Sequence, residues 1–249
     1  MLSIKFPGRT FNHWTAYAFG RLLAEKNNLR LETAWDHPEY FAVTDPQLGR
    51  TMLNPVTIKD DRGFENWFDR DYTRNHVFLN GYFQYPQLYT PNHDKILSWL
   101  KLSPVEAGHE NDICIHLRLD DYIDCSKPRI LHREWYADIL LRPENQRKRV
   151  WVIVEKPKKQ WEHEYIDKIR DLCKPHVIVL GDNPVNDWNI IRSFGTIICS
   201  NSSYCWWAAF LSKATKVYTF SRWLIGATAK LGKTDLPGWE SVDGKYFYE

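Results

Sequence analysis

Apolar and polar positions along this chain fall into blocks, and after residue 111 the blocks acquire a regular beat. Asp112–Leu117, Arg149–Val154, His176–Leu180, Thr196–Ser200 and Lys216–Phe220 are short runs rich in β-branched residues, the pattern of strands buried on both faces. Between them, Glu134–Leu140, Trp161–Cys173, Asp187–Phe194 and Tyr204–Ser212 read as helices. Strands alternating with helices predict a parallel sheet with helices on both faces. Earlier in the chain, Leu2–Phe6 predicts a strand and Pro7-Gly8-Arg9 a turn. A helix is predicted over Asn12–Lys26, with Ala16, Phe19, Leu22 and Leu23 near helical spacing. Asn27-Asn28 stops it, and Leu29–Thr33 predicts a second strand, giving a βαβ opening. Residues 35–75 are broken by Pro38, Pro46 and Pro55 and crowded with charge from Lys59 to Arg74. They predict loops and short elements, followed by a strand at Val77–Asn80 and a helix at Asn92–Leu100. The polar stretch Ser103–Asn111, with Pro104 and Gly108, is the best linker. It divides the chain into 1–108 and 109–249.

Composition narrows the class. A length of 249 residues suits one large α/β domain or two small ones. With 33 basic and 31 acidic residues, no bulk field points to nucleic acid or an anionic membrane. Aromatics make up 15% of the chain, including 12 Trp; most belong to a core, and the excess also suits sugar binding through ring faces. Five cysteines form no C-x-x-C pair, so reduced, mostly buried thiols in a reducing compartment are expected. No signal-like apolar segment opens the chain and no run is long enough to span a bilayer. The expectation is a soluble cytoplasmic protein, or a soluble domain of something longer.

The candidate chemistry lies where strands end, because ligands of an open parallel sheet sit outside the carboxyl ends of its strands. Ile197-Ile198-Cys199 runs into Ser200-Asn201-Ser202-Ser203 and then into an aromatic, alanine-rich helix. Strand, polar turn and helix start together form a natural anion site, although Ser and Asn also begin helices as ordinary caps. The strand at 112–117 ends in His116, Arg118, Asp120 and Asp121. His116 and Arg118 alternate and so point the same way. Arg118 suits a diphosphate, and the carboxylates could orient it or act as a base. Asp120 and Asp121 also invite a Mg²⁺ reading, ranked lower because Arg118 already supplies a cation. The strand at 149–154 ends in Glu155, and that at 176–180 in Gly181-Asp182-Asn183. Polar groups from separate segments thus converge on one edge. His163 and Glu164 lack the second histidine of a zinc-protease helix and read as a solvated face.

Several of these stretches resemble glycosyltransferase family 11, the α-1,2-fucosyltransferases. Gly8–Gly20 resembles the family's opening GGLGNQ…YA.G segment. Gly81-Tyr82-Phe83-Gln84 resembles GY(F/W)Q, His116–Tyr122 resembles H-x-R-R-x-D-Y, and Ser200–Leu211 resembles S-N-S-S-F-S-W-W-A-A-Y-L. The resemblance implies a GT-B-like α/β fold of two Rossmann-like lobes, with residues 1–108 on the acceptor side and 109–249 binding the nucleotide-sugar. It implies an inverting transfer of L-fucose from GDP-fucose to a glycan hydroxyl, in α-1,2 linkage, with no cofactor and no metal. Carried over by position, Arg118 would hold the β-phosphate, and Ser202 and Ser203 would line the diphosphate region. Asn12, His116, Ser200 and Asn201 join them as donor-site candidates. Asp187 would read guanine, whose N1–H and 2-amino group are adjacent donors; a helix N-cap is its other reading. Asp121, Glu155 and His13 are the candidate bases. The chain departs from the pattern where Arg9 and Phe11 replace glycines, His13 replaces glutamine, and Leu119 replaces the second arginine. Another GDP-sugar, or a catalytically weak glycan- or nucleotide-binding role, is the alternative reading.

Overall fold

The computed structural model describes residues 1–44, 54–60, 65–123, 130–222 and 236–247, without the side chain of Asp121. The chain forms two compact units, Met1–Ser103 and Pro104–Glu249. The first contains β1 (Leu2–Lys5), α1 (Thr10–Lys26), β2 (Phe41–Val43), β3 (Asn54–Lys59), α2 (Glu65–Phe68), β4 (Asn75–Asn80), α3 (Pro86–Tyr89), α4 (His93–Ser98) and β5 (Leu100–Leu102). The second contains β6 (Ile113–Leu117), α5 (Arg133–Leu140), β7 (Val150–Glu155), α6 (Gln160–Cys173), β8 (Val177–Gly181), α7 (Pro184–Arg192), β9 (Thr196–Ile198), α8 (Ser203–Phe210), β10 (Lys216–Phe220) and β11 (Trp239–Val242).

In the first unit β4 lies between β1 and β3, all parallel, while β2 and β5 pair antiparallel. Helix α1 is buried along most of its length, including Trp14, Ala16, Ala18, Phe19 and Leu23. The strand expected at Leu29–Thr33 is reduced to an isolated bridge between Leu2 and Leu31. The reason is local: the Ile4 N–H donates to Thr33 Oγ1, where a ladder would need a backbone carbonyl. Sequence reading missed β3, whose second residue is Pro55; a proline is tolerated there because β3 is an edge strand. The helix expected over 92–100 is shorter, ending at Ser98 before β5.

The second unit is built on six parallel strands in the order β11-β10-β9-β6-β7-β8. Counted from β6, that is the 3-2-1-4-5-6 order of the doubly wound dinucleotide-binding fold, read from the opposite edge. Its core packs Ile113, Ile115 and Leu117 of β6 and Val152 and Val154 of β7 against Trp135, Ile139, Tyr165 and Ile169 of α5 and α6. Helix α8 is apolar on all sides and buried, with Trp206 and Trp207 fully inside, which roots the turn before it in the core. Cys114, Cys173, Cys199 and Cys205 are free, buried thiols; Cys125 lies outside the described residues. Among the described residues, no helix is long and apolar enough to cross a membrane.

Candidate active site

From β6 the chain builds outward through β7 and β8, then returns to the other side of β6 to lay down β9. At such a reversal, here between the carboxyl ends of β6 and β9, lies the usual ligand-binding crevice of open parallel sheets. Two hydrogen bonds tie its walls together. His116 Nδ1 lies 2.7 Å from Ser200 Oγ, and the Tyr122 hydroxyl donates to the Asn201 carbonyl at 3.1 Å. Ser200, Asn201 and Ser202 are all buried. The Ser202 N–H donates to the Ser200 carbonyl, tightening the turn, and the Ser202 carbonyl accepts the Trp206 N–H as α8 begins. Ser202 therefore occupies the cap position, yet its side chain makes no capping bond. Its hydroxyl remains available to a ligand at the positive end of a helix.

Arg118 follows β6 directly. Its guanidinium carbon sits 5.2 Å from the centre of the Tyr122 ring, and Nη1 lies 3.8 Å from Glu155 Oε2. Glu155 ends β7 and is also held by Lys158 at 2.7 Å. Burial, reinforced by the Arg118 charge, pushes the His116 imidazole down to about 3, so the ring stays neutral. Neutral and bonded to Ser200, His116 is a brace between two strand ends rather than a proton acceptor.

Asp187 lies in the first turn of α7, but Asn183 is that helix's cap: its side-chain oxygen accepts from the Val185 and Asn186 N–H groups. Among the described residues, the Asp187 carboxylate has no hydrogen-bond partner. It packs over Gly181, where an added Cβ would come within 1.8 Å of Oδ2. Partial burial, then the charges of Asp182 and Glu155, raise its carboxyl from 3.8 to about 6. An acid held without donors, above its usual range, suits a ligand that brings N–H groups to it.

One residue here escaped sequence reading. Glu162 is buried in the first turn of α6 and accepts the Lys158, Lys159 and Asp120 N–H groups at 2.5, 2.8 and 3.1 Å. It holds Asp120 in the left-handed region at φ 37°, two residues beyond Arg118. The neighbouring His163 and Glu164 are exposed, as expected. The side chain of Asp121 lies outside the described residues.

The remaining candidates lie in the first unit. Asn12, in the first turn of α1, accepts from Gln84 Nε2 at 3.2 Å. His13 bonds to the Gly8 carbonyl through Nε2 at 3.1 Å and lies 3.2 Å from Asp36 through Nδ1. The Gly81–Gln84 segment is pinned by Asp60, whose Oδ2 accepts the Tyr82 and Phe83 N–H groups at 3.1 and 2.7 Å. The Tyr85 hydroxyl donates to the same carboxylate. Asp60 holds Phe83 at φ 51°, a costly conformation for a residue with a Cβ. The signal in sequence was an Asp directly after a strand, hidden because that strand carries Pro55.

Comparison with curated proteins returns no match. The model of glycosyl transferase family 11 matches residues 56–239, which takes in the Gly81–Gln84 segment, the Arg118 turn, Asp187 and the serine turn. That match spans most of the chain, and the chain belongs to glycosyl transferase family 11, a family of fucosyltransferases.

Proposed function

We propose that this chain transfers L-fucose from GDP-fucose to a hydroxyl of a glycan acceptor, with inversion at the anomeric carbon and in α-1,2 linkage. The observation that carries the reading is the β6–β9 crevice of a family 11 chain, where Arg118 and the serine turn are braced together by His116–Ser200 and Tyr122–Asn201. The acceptor oxygen forms a bond to C1 as the bond from C1 to the β-phosphate oxygen breaks and GDP leaves. Arg118, the Ser202 and Ser203 hydroxyls and the N-terminus of α8 meet the charge that develops on the departing phosphate. The positive charge comes from the protein, so no metal is required at the diphosphate. Leu119, the departure at the second arginine, is buried in the core and leaves Arg118 as the motif's cation. Asp187 accepts guanine N1–H and the 2-amino group. The hydroxyl proton passes to Asp121 or Glu155, the carboxylates that follow β6 and end β7. In this reading the two units are the lobes of a GT-B enzyme, with the acceptor bound through the first.

The test is a thermal-shift panel of GDP, UDP, ADP and CMP, with and without EDTA, followed by transfer assays with GDP-fucose. GDP at about a hundred times its Kd stabilises by roughly 2.7 kcal/mol, a rise of roughly 5–10 °C in Tm for a chain of this length. The expected result is a shift with GDP alone, unchanged by EDTA, and loss of most turnover in Arg118→Ala with the fold intact. A UDP shift, or one abolished by EDTA, would refute the donor assignment. Near-normal turnover of Arg118→Ala would refute its role.

A further inference from the structure

We propose that His13, Asp36 and His37 form a binding site for one divalent transition-metal ion of the zinc type, apart from the transfer reaction. One ligand atom from each of the three residues lies within 4.8 Å of the other two. Convergence alone would be a weak argument at a surface. The hydrogen bonding makes it stronger.

A neutral imidazole carries one N–H and one lone pair. His13 Nε2 is 3.1 Å from the Gly8 carbonyl oxygen, and a ring protonated at Nε2 donates to it. The lone pair is left on Nδ1, 3.2 Å from Asp36 Oδ2. His37 repeats the arrangement with its nitrogens exchanged. Nδ1 is 3.0 Å from the Glu39 carboxylate and donates to it, leaving the lone pair on Nε2, 3.8 Å from Asp36 Oδ1. In these tautomers one ring nitrogen of each histidine turns its lone pair towards the Asp36 carboxylate, as a metal ligand does. A metal ion bound there would select them over the tautomers that donate to Asp36. Two imidazoles and a carboxylate, each imidazole anchored through its far nitrogen by an oxygen, are the inner and outer shells by which proteins hold zinc and its neighbours.

The rings are also fixed in place. His13 stacks on Phe6, with centroids 4.9 Å apart and planes 9° apart, and His37 meets the Trp35 ring at 5.5 Å. The three side chains are 18%, 41% and 27% exposed, so water can enter and complete the coordination. Hard Mg²⁺ is disfavoured by the two nitrogen ligands. The bound ion would fasten the 36–37 segment to the first turn of α1, and it makes His13 a ligand rather than a base.

The experiment strips the full chain with a chelator and titrates it with Zn²⁺ against a chromophoric competitor, with Co²⁺ absorption as a second readout. One equivalent is expected to bind and to raise Tm. His37→Gln and Asp36→Asn should each weaken binding more than about tenfold, and Glu39→Ala about tenfold through the lost anchor. His93→Gln, a control at an exposed His–Asp pair elsewhere in the unit, should leave binding unchanged. Absence of stoichiometric binding, or binding that His37→Gln leaves unaltered while the variant melts cooperatively, would overturn the proposal. Both readouts are independent of transferase activity, so failure here leaves the donor assignment standing, and the reverse holds.

Discussion

Replacing Asp187 by Asn should make the ligand-free protein more stable and GDP binding weaker. The carboxyl is raised from 3.8 to about 6 by partial burial and by Asp182 and Glu155. At pH 7.5 the folded state therefore carries an ionised acid that it disfavours. A displacement of this size corresponds to roughly 3 kcal/mol for a fully enclosed group. Asp187 is partly exposed, and solvent screening reduces the recoverable gain to about 1 kcal/mol. That is a rise of about 2–4 °C in Tm. Because the folded-state value lies above the unfolded one, the penalty is complete above pH 6 and is relieved as pH falls towards 4. The advantage of the Asn variant should shrink over the same window. GDP affinity should change in the opposite sense. Losing a charged acceptor for two N–H donors costs about 1.5–3 kcal/mol, or roughly ten- to a hundredfold in Kd. Wild-type affinity should likewise decline below pH 6, as the carboxyl takes up its proton. Thermal melts from pH 4 to 8 and calorimetric titration with GDP would measure both. A variant less stable at pH 7.5 would refute the electrostatic reasoning, and unchanged GDP affinity would refute guanine recognition.

Gly181→Ala should reproduce the GDP defect without the gain in stability, because its Cβ would fall 1.8 Å from Asp187 Oδ2 and displace the carboxylate; calorimetry and a melt distinguish the two variants. Glu162→Gln keeps the shape but cannot accept three backbone N–H groups through two oxygens. It should lose about 2 kcal/mol in denaturant unfolding and lower kcat by releasing the Asp120 turn beside Arg118. Arg149→Ala removes both guanidinium bonds, at 3.0 and 2.8 Å, from buried Asp112, which precedes β6 at the edge away from the crevice. With Arg149 more than half exposed and His109 still bonded to Asp112, it should cost about 1–3 kcal/mol at pH 7 with GDP affinity unchanged. Burial alone would raise the Asp112 carboxyl, but hydrogen bonds from Arg149 and His109 hold it below its usual value. The stability it contributes is present at neutral pH and lost as pH falls through that lowered value, so wild type and variant should converge in acid melts.

The second unit was legible because its strands are enclosed on both faces. Ile113–Leu117, interrupted only by His116, and Val150–Val154 read as near-continuous apolar runs and could be placed to within a residue or two. β11 was missed because Trp239–Val242 is a half-exposed edge whose pattern, Trp-Glu-Ser-Val, gives no such run. In the first unit, strand signals were overwritten by Pro55 in β3 and by the side-chain bond of Thr33 that ends pairing at Leu31. Within the site, Arg118, Ser202 and Asp187 could be named because each follows a strand end or opens a helix in a recognisable motif. What sequence left undecided at Asp187 was cap against ligand. Asn183 takes the cap, which frees the carboxylate.

The carboxylates that escaped notice share one physical character. Glu162 and Asp60 face backbone N–H groups, and each secures a residue in the left-handed region, Asp120 and Phe83. In a sequence such residues look like solvated charge. Glu162 stands where a capping box would put an acid, but Lys159 occupies the place of the Ser or Thr that would announce one. Both grip motif loops whose conformation the chain would not adopt by itself. A motif such as His116–Tyr122 or Gly81–Gln84 is thus only half of what sets its own geometry. The other half is a distant acid, 42 residues away for Asp120 and 23 for Phe83, recognisable only once the backbone donors it serves are known.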